Sequence, residues 1–292
     1  MKRFLMRSFI VIFILLLVWI IIAPSCMTMR TPDSEMKKKF QEQGVNLTTA
    51  TQQVDGHNIH YAVTGRDTMP TIIFIHGTPG SWDAFVGYLK DSALLQRYRL
   101  ISVDRPGFGY SDFGKPYHLQ QQSEIMSPVL QTFKNGKPIF LVGHSLGGPM
   151  LIKLSADNPA LFSALVIISG SIDPAEEKPE KWRPWLFKTP LNLLVPGALR
   201  QSNEEIWYFK KDLVALKNDF EKIHCPVIFI HGQKDTWVPP GNVAYGKKML
   251  VNAAAVSELF FADGNHFIPW TKFDEIKKAL LSLVEVDKAI NR

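Results

Sequence analysis

An α/β architecture, a mainly parallel sheet covered by helices on both faces, is predicted by three features of the 292-residue chain. Apolar runs of strand length recur at residues 59–64, 71–76, 99–103, 138–143, 164–169, 226–231 and 257–262. Helix-compatible stretches separate them, and the runs are near-continuous where half-buried strands would alternate, which marks strands covered on both faces. Asp55-Gly56, between Gln52-Gln53-Val54 and Ile59, signals an opening hairpin. A hydrophobic content of 46% is ample for the core of one large domain, and no internal repeat divides the chain.

The elements carry chemistry at their exits. The strand Pro138–Gly143 runs into GHSLGG, which sets Ser145 in a GxSxG frame at a strand-to-helix turn. Such a turn exposes the serine hydroxyl on strained backbone and tolerates little beyond glycine at positions 143 and 147. The strand 226–231 opens into GQKDTWVPP with Asp235, and Leu259–Ala262 opens into DGNHFIPW with His266. Serine, acid and base in that order, each after a strand of one sheet, form a set for nucleophilic acyl transfer. Nearer the start, Thr71–Ile75 ends in HGTPG, and the strand 99–103 ends in DRPGFGYSD.

With these four motifs in order, residues 53–288 resemble the α/β-hydrolase family, which implies an eight-stranded, mainly parallel sheet with a small helical lid. The resemblance also implies an oxyanion hole built from the backbone N–H groups of Thr78, in the HGxPG loop, and Leu146, after the serine. By the same resemblance His76 and His144 are hydrogen-bonding supports of their loops. Asp104 reads as architectural, fixing a strand-exit loop. The acid has one alternative, Asp173, which follows the strand at 164–169; the GQKDTWVPP context favours Asp235, since Asp173-Pro174 also reads as a turn start.

The predicted reaction is ester hydrolysis through an acyl-enzyme on Ser145, with His266 as base and Asp235 orienting it. A small or medium apolar ester is the expected substrate. The same triad supports thioester, amide or C–C cleavage and perhydrolysis, and a non-catalytic binding protein on this fold is the reading from another class. Epoxide hydrolases and haloalkane dehalogenases resemble the chain in HGxPG but carry aspartate at the elbow. No HExxH, paired CxxC or GxGxxG after a strand is present, so neither a metal nor another cofactor is expected.

The longest interval between strands, about 171–224, is the predicted lid. It holds Trp182, Trp185, Phe187, Leu191, Leu193, Leu194, Trp207, Tyr208 and Phe209, broken into short helices by Pro179, Pro184, Pro190 and Pro196. Most of these aromatics are expected to fasten the insertion to the sheet, and the rest to line an acyl pocket.

The N-terminus asks a separate question. Lys2, Arg3 and Arg7 precede fifteen unbroken apolar residues, Phe9–Ala23. At ~1.5 Å per residue these span ~22 Å, short of a ~30 Å hydrocarbon layer, which favours a signal peptide. The uncharged stretch Ser8–Met29 is longer, at 22 residues, and keeps a single-pass anchor open. APSC resembles a bacterial lipoprotein box, with Ala23 where leucine is usual, and implies lipidation of Cys26. Lipidation or an uncleaved anchor would each hold the enzyme at a membrane, on its extracytoplasmic side.

The predicted organisation is therefore residues 1–30 as signal peptide or anchor, 31–50 as a tether or short helix and 51–292 as the hydrolase domain. Cys225, at the start of a strand, reads as a core thiol, so no disulfide framework exists. The formal charge of +6 includes three from Lys2, Arg3 and Arg7, and the dispersed remainder gives no sign of nucleic-acid binding.

Overall fold

The computed structural model describes residues 2–290; Met1, the first residue of the predicted targeting segment, and residues 291–292 lie outside it. Eight strands form one sheet: β1 (Thr48–Val54), β2 (His57–Thr64), β3 (Thr71–Ile75), β4 (Arg99–Val103), β5 (Ile139–His144), β6 (Ala164–Ile168), β7 (Val227–Gly232) and β8 (Val256–Phe261). Their order is β1-β2-β4-β3-β5-β6-β7-β8. Only β2 runs against its neighbours, pairing antiparallel with β1 and β4, and every other pairing is parallel.

Alternation along the central strands feeds two cores. Ile73, Ile75 and Leu141 face one, with side chains from α3 (Leu119–Gln131) and α4 (Gly147–Asp157). Ile72, Phe74, Phe140 and Val142 face the other, with Trp82, Phe85 and Tyr88. Burial on both faces explains why these strands read as unbroken apolar runs.

The stretch 31–50 contains a short helix packed on the domain. Residues Asp33–Gln41 form α2, whose Met36 and Phe40 are buried in the second core. The two lie one turn apart and share a helix face, while the intervening Lys37-Lys38-Lys39 gives the sequence its polar look. Thr48–Thr51 extend β1, pairing with His60–Val63 of β2.

The insertion between β6 and β7 holds α5 (Arg183–Phe187), a 3₁₀ turn over Pro190–Leu194 and a long helix, α6 (Gly197–Leu216). The prolines break its first half as expected, but none occurs after Pro196, so α6 runs on for 20 residues. Phe209 is buried against the first core. Trp182 and Trp185 are 49% and 68% exposed, so they do not fasten the lid to the sheet.

Ahead of the domain, α1 (Lys2–Ile22) carries its apolar side chains exposed along its length, and Arg3–Ser25 is long and apolar enough to cross a membrane.

Candidate active site

Topology brings the motif-bearing exits to one edge. β3 and β5 are direct neighbours, with Ile75 opposite Gly143, so HGTPG and GHSLGG leave the sheet side by side. At β7 and β8 Gly232 stands opposite Phe261, which brings the Asp235 and His266 loops together. Exits at the carboxyl ends of neighbouring parallel strands are where α/β sheets form sites.

The elbow is tight. Ser145 has a φ of 56°, in the left-handed region, and its N–H donates to the Ile168 carbonyl at 3.0 Å. A Cβ at Gly147 would lie 2.3 Å from the Ile75 carbonyl oxygen, and one at Gly143 would lie 2.5 Å from the Gly147 oxygen. The glycines let strand, turn and helix pack within backbone distance. A Cβ at Gly77 would come 2.9 Å from that of Ser145, so the HGTPG loop lies directly against the serine.

Asp235 and His266 are joined. His266 Nδ1 lies 2.8 Å from Asp235 Oδ2, while Asp235 Oδ1 accepts the N–H groups of Trp237 at 3.0 Å and Val238 at 2.8 Å. Burial alone would raise the Asp235 carboxyl, but the bonds from His266 and Val238 outweigh it and hold it below the usual carboxylate range. An ionised Asp235 accepts only, so the shared proton sits on His266 Nδ1 and leaves Nε2 as the open nitrogen.

Asp173 is engaged elsewhere. Its carboxylate accepts the Ala175 N–H at 2.8 Å and its own N–H donates to Asn242 Oδ1, a turn arrangement with no bond to His266.

Ser145, His266 and Thr78 line two adjoining cavities of about 330 and 770 Å³. Leu146 lines the larger, with Trp182, Leu186, Leu199 and Phe209 of the lid. No hydrogen bond connects Ser145 Oγ to His266, a contact that serine hydrolases often complete only with substrate in place. Among the described residues the N–H groups of Thr78 and Leu146 donate to no protein acceptor. The Cys26 carbonyl packs on Gly197 at the start of α6, leaving no room for a Cβ there.

The supporting shell is dense. His144 Nε2 donates to the His266 carbonyl at 2.9 Å, and burial, with His266 nearby, pushes its imidazole down to about 3, so it stays neutral. His76 accepts the Arg105 N–H at Nε2, which leaves Nδ1–H to donate to the Gly77 carbonyl at 2.7 Å. Asp104 accepts the N–H groups of Trp82 and Tyr110, fixing the strand-exit loop; burial drives its carboxyl up to about 8 against those two bonds.

Arg105 was not singled out by sequence. Its side chain is fully buried and every guanidinium N–H has an acceptor. Nε donates to the His76 carbonyl, Nη2 to the Gly77 carbonyl at 3.1 Å, and Nη1 to Gln122. The fork is closed by Glu205 of α6, at 2.6 and 3.1 Å. The pair joins lid helix to HGTPG loop across 100 residues of chain, a partnership that no local pattern could signal.

A family model described as alpha/beta hydrolase fold matches residues 70–196, which include HGTPG, DRPGFGYSD and GHSLGG. The eight-stranded sheet carries the same architecture through β8. The chain has the α/β-hydrolase fold.

It is 26% identical over 241 residues to a pimeloyl-[acyl-carrier protein] methyl ester esterase of Nitrosomonas europaea, covering 68% of this chain and 90% of that protein. Over 113 residues it is 31% identical to epoxide hydrolase 1 of Caenorhabditis elegans, covering 37% of this chain but only 27% of the relative. Among solved structures, a membrane phospholipase A described as a bacterial virulence factor superposes with a TM-score of 0.64 at 17% identity, covering 99% of both chains. That identity speaks for the fold alone. As an α/β hydrolase the chain is similar to esterases and epoxide hydrolases, and its neighbours do not agree on one substrate.

Proposed function

We propose that this α/β hydrolase is a membrane-tethered carboxylic ester hydrolase that works through an acyl-enzyme on Ser145. The observation carrying the proposal is the His266–Asp235 bond at 2.8 Å, beside a cavity that Ser145 shares. His266 Nε2 takes the hydroxyl proton as Ser145 Oγ attacks the carbonyl carbon. Asp235 holds the tautomer and stabilises the imidazolium. The N–H groups of Thr78 and Leu146, free of protein acceptors, receive the developing oxyanion. His266 then returns its proton to the leaving alcohol and activates the water that releases the acid. A serine at the elbow, where ring-opening hydrolases carry aspartate, favours ester over epoxide.

The apolar lining from Trp182, Leu186, Leu199 and Phe209 supports an apolar acyl group. Turnover of a p-nitrophenyl ester series from acetate to palmitate tests the reading. Hydrolysis with an optimum at short or medium chains is expected; absence of turnover across the series would overturn it.

Attachment through α1, or through acyl groups on Cys26, on the extracytoplasmic side is part of the same proposal. It rests on an apolar helix next to a cysteine in a lipoprotein-like setting. Intact-mass measurement of membrane-extracted protein separates the two routes.

Arg105 acts in this scheme as a positioning residue. In a trans peptide the N–H points away from the C=O, so Arg105 and His76, gripping the Gly77 carbonyl, fix the direction of the Thr78 N–H. Arg105→Met is expected to lower kcat roughly 10- to 100-fold with a smaller change in KM, less than the ~10²–10³ of a lost donor. It should also destabilise by about 3–5 kcal/mol, because Glu205 is left buried and unpaired. The double variant Arg105→Met/Glu205→Leu should recover most of the stability without recovering kcat. Recovery of both in urea unfolding and steady-state assays would confine Arg105 to a structural role.

A further inference from the structure

We propose that the outer face of the lid, centred on Trp185, Leu191 and Leu193, is a docking surface for the lipid leaflet that α1 enters, and that Ser145 takes its ester from that leaflet. The substrate class follows: an amphiphilic ester whose acyl chain resides in the bilayer. The second clause rests on the ester-hydrolase reading, whereas the docking itself does not.

The first observation is where the apolar segment meets the domain. Trp19, near the end of α1, donates its Nε1–H to the Leu194 carbonyl of the lid at 2.9 Å. The Met27 carbonyl accepts the Ala198 N–H at 3.1 Å, and Gly197 packs so closely on Cys26 that no Cβ would fit. Arg30 then donates to the Gly109 carbonyl and stacks on Tyr110 and Phe113, and Met29 lines the smaller cavity beside Ser145. The segment leaving the bilayer is thus clasped by the lid, and no free linker lets the domain stand away from the membrane. Acyl chains carried on Cys26 would bring the leaflet to the same face.

The second observation is what that face presents. Within nine residues Trp185, Leu191 and Leu193 are 68%, 44% and 46% exposed, an apolar cluster that soluble surfaces rarely leave open. Lys178, Lys181 and Lys188 lie exposed along the same segment, where ammonium groups can reach lipid phosphates while the aromatic side chains enter the interface.

The third observation joins face to chemistry. Trp182 is half exposed at the outer face and also lines the larger cavity, together with Leu186 and Leu199. The lid is therefore a thin layer between leaflet and nucleophile. A chain crossing it meets Trp182, Leu186 and Leu199 on the way to Ser145, with Glu177, Glu180 and Arg183 on the same cavity wall.

The test uses full-length protein in phosphatidylcholine/phosphatidylglycerol vesicles, with Trp185→Asp/Leu191→Asp as the variant. Neither residue lines the cavities, and both are exposed, so the fold should tolerate the change. Turnover of 4-methylumbelliferyl decanoate dispersed in the bilayer should fall about 10-fold or more, since burying two carboxylates at the interface opposes docking. Turnover of water-soluble p-nitrophenyl acetate should change less than about twofold, as expected away from the catalytic groups. Equal effects on both esters, or on neither, would overturn the proposal.

A second measurement needs no catalysis. In Ser145→Ala protein, tryptophan quenching by brominated phosphatidylcholine should diminish when Trp185 is replaced by phenylalanine, and unchanged quenching would contradict docking. Lid-dependent quenching without any ester turnover would sink the esterase reading and leave the docking surface standing.

Discussion

Ser145→Ala is expected to lower kcat for p-nitrophenyl butyrate by about 10⁴- to 10⁶-fold while the protein stays folded, and His266→Ala to do the same to within an order of magnitude. Alanine bears the left-handed backbone at position 145 as well as serine does, and the elbow is held by the Ser145 N–H and its neighbouring glycines, not by the hydroxyl. Folding should therefore survive. Because the two side chains act as one unit, combining the changes should add little further loss. If each single variant kept more than about a tenth of wild-type kcat, the proposed nucleophile and base would both be wrong.

Asp235→Asn is expected to lower kcat by about 10⁴-fold, and Asp173→Asn to leave it within about twofold. The reason lies in what surrounds each carboxylate. Asp235 Oδ1 is fixed by the Trp237 and Val238 N–H groups, so an asparagine there must keep its carbonyl oxygen on that side. Its NH₂ then faces His266 Nδ1 and drives the imidazole proton to Nε2, the nitrogen that must accept from serine. Geometry is kept and the tautomer is wrong. Asp173 only caps a turn, through the Ala175 N–H. Loss of turnover in Asp173→Asn alone, by steady-state kinetics on the purified pair, would move the acid to the earlier strand.

The strands were legible because burial on both faces leaves unbroken apolar runs, and the elbow and its partners because each follows such a run. Legibility fails where the signal is shared between distant or differently labelled residues. In α2 only Met36 and Phe40 face inward, and three lysines between them mask that stripe. β1 carries TTATQQV, a polar edge strand with no apolar run to announce it. Phe209 and Trp185 look alike in sequence, yet one fills the core and the other meets solvent. The side of a helix or turn that faces the sheet is set by tertiary packing.

Arg105 is the clearest case. In DRPGFG an arginine on a strand-exit loop reads as a surface charge, and only the return of α6 supplies the Glu205 that permits its burial. Its acceptors include the two backbone carbonyls of the HGTPG loop, so the same contact connects the lid with the proposed oxyanion site. The motifs name the candidate reacting groups. The link among them emerges only with the fold.

The central claim is that Ser145 is an activated nucleophile. Reaction of the full-length protein with a fluorophosphonate, read by intact mass and peptide mapping, tests it most directly. A single phosphonyl adduct on Ser145, absent from Ser145→Ala and strongly slowed in His266→Ala, is the predicted result. An unmodified Ser145 in folded wild-type protein, or equal labelling of the Ser145→Ala variant, would contradict it.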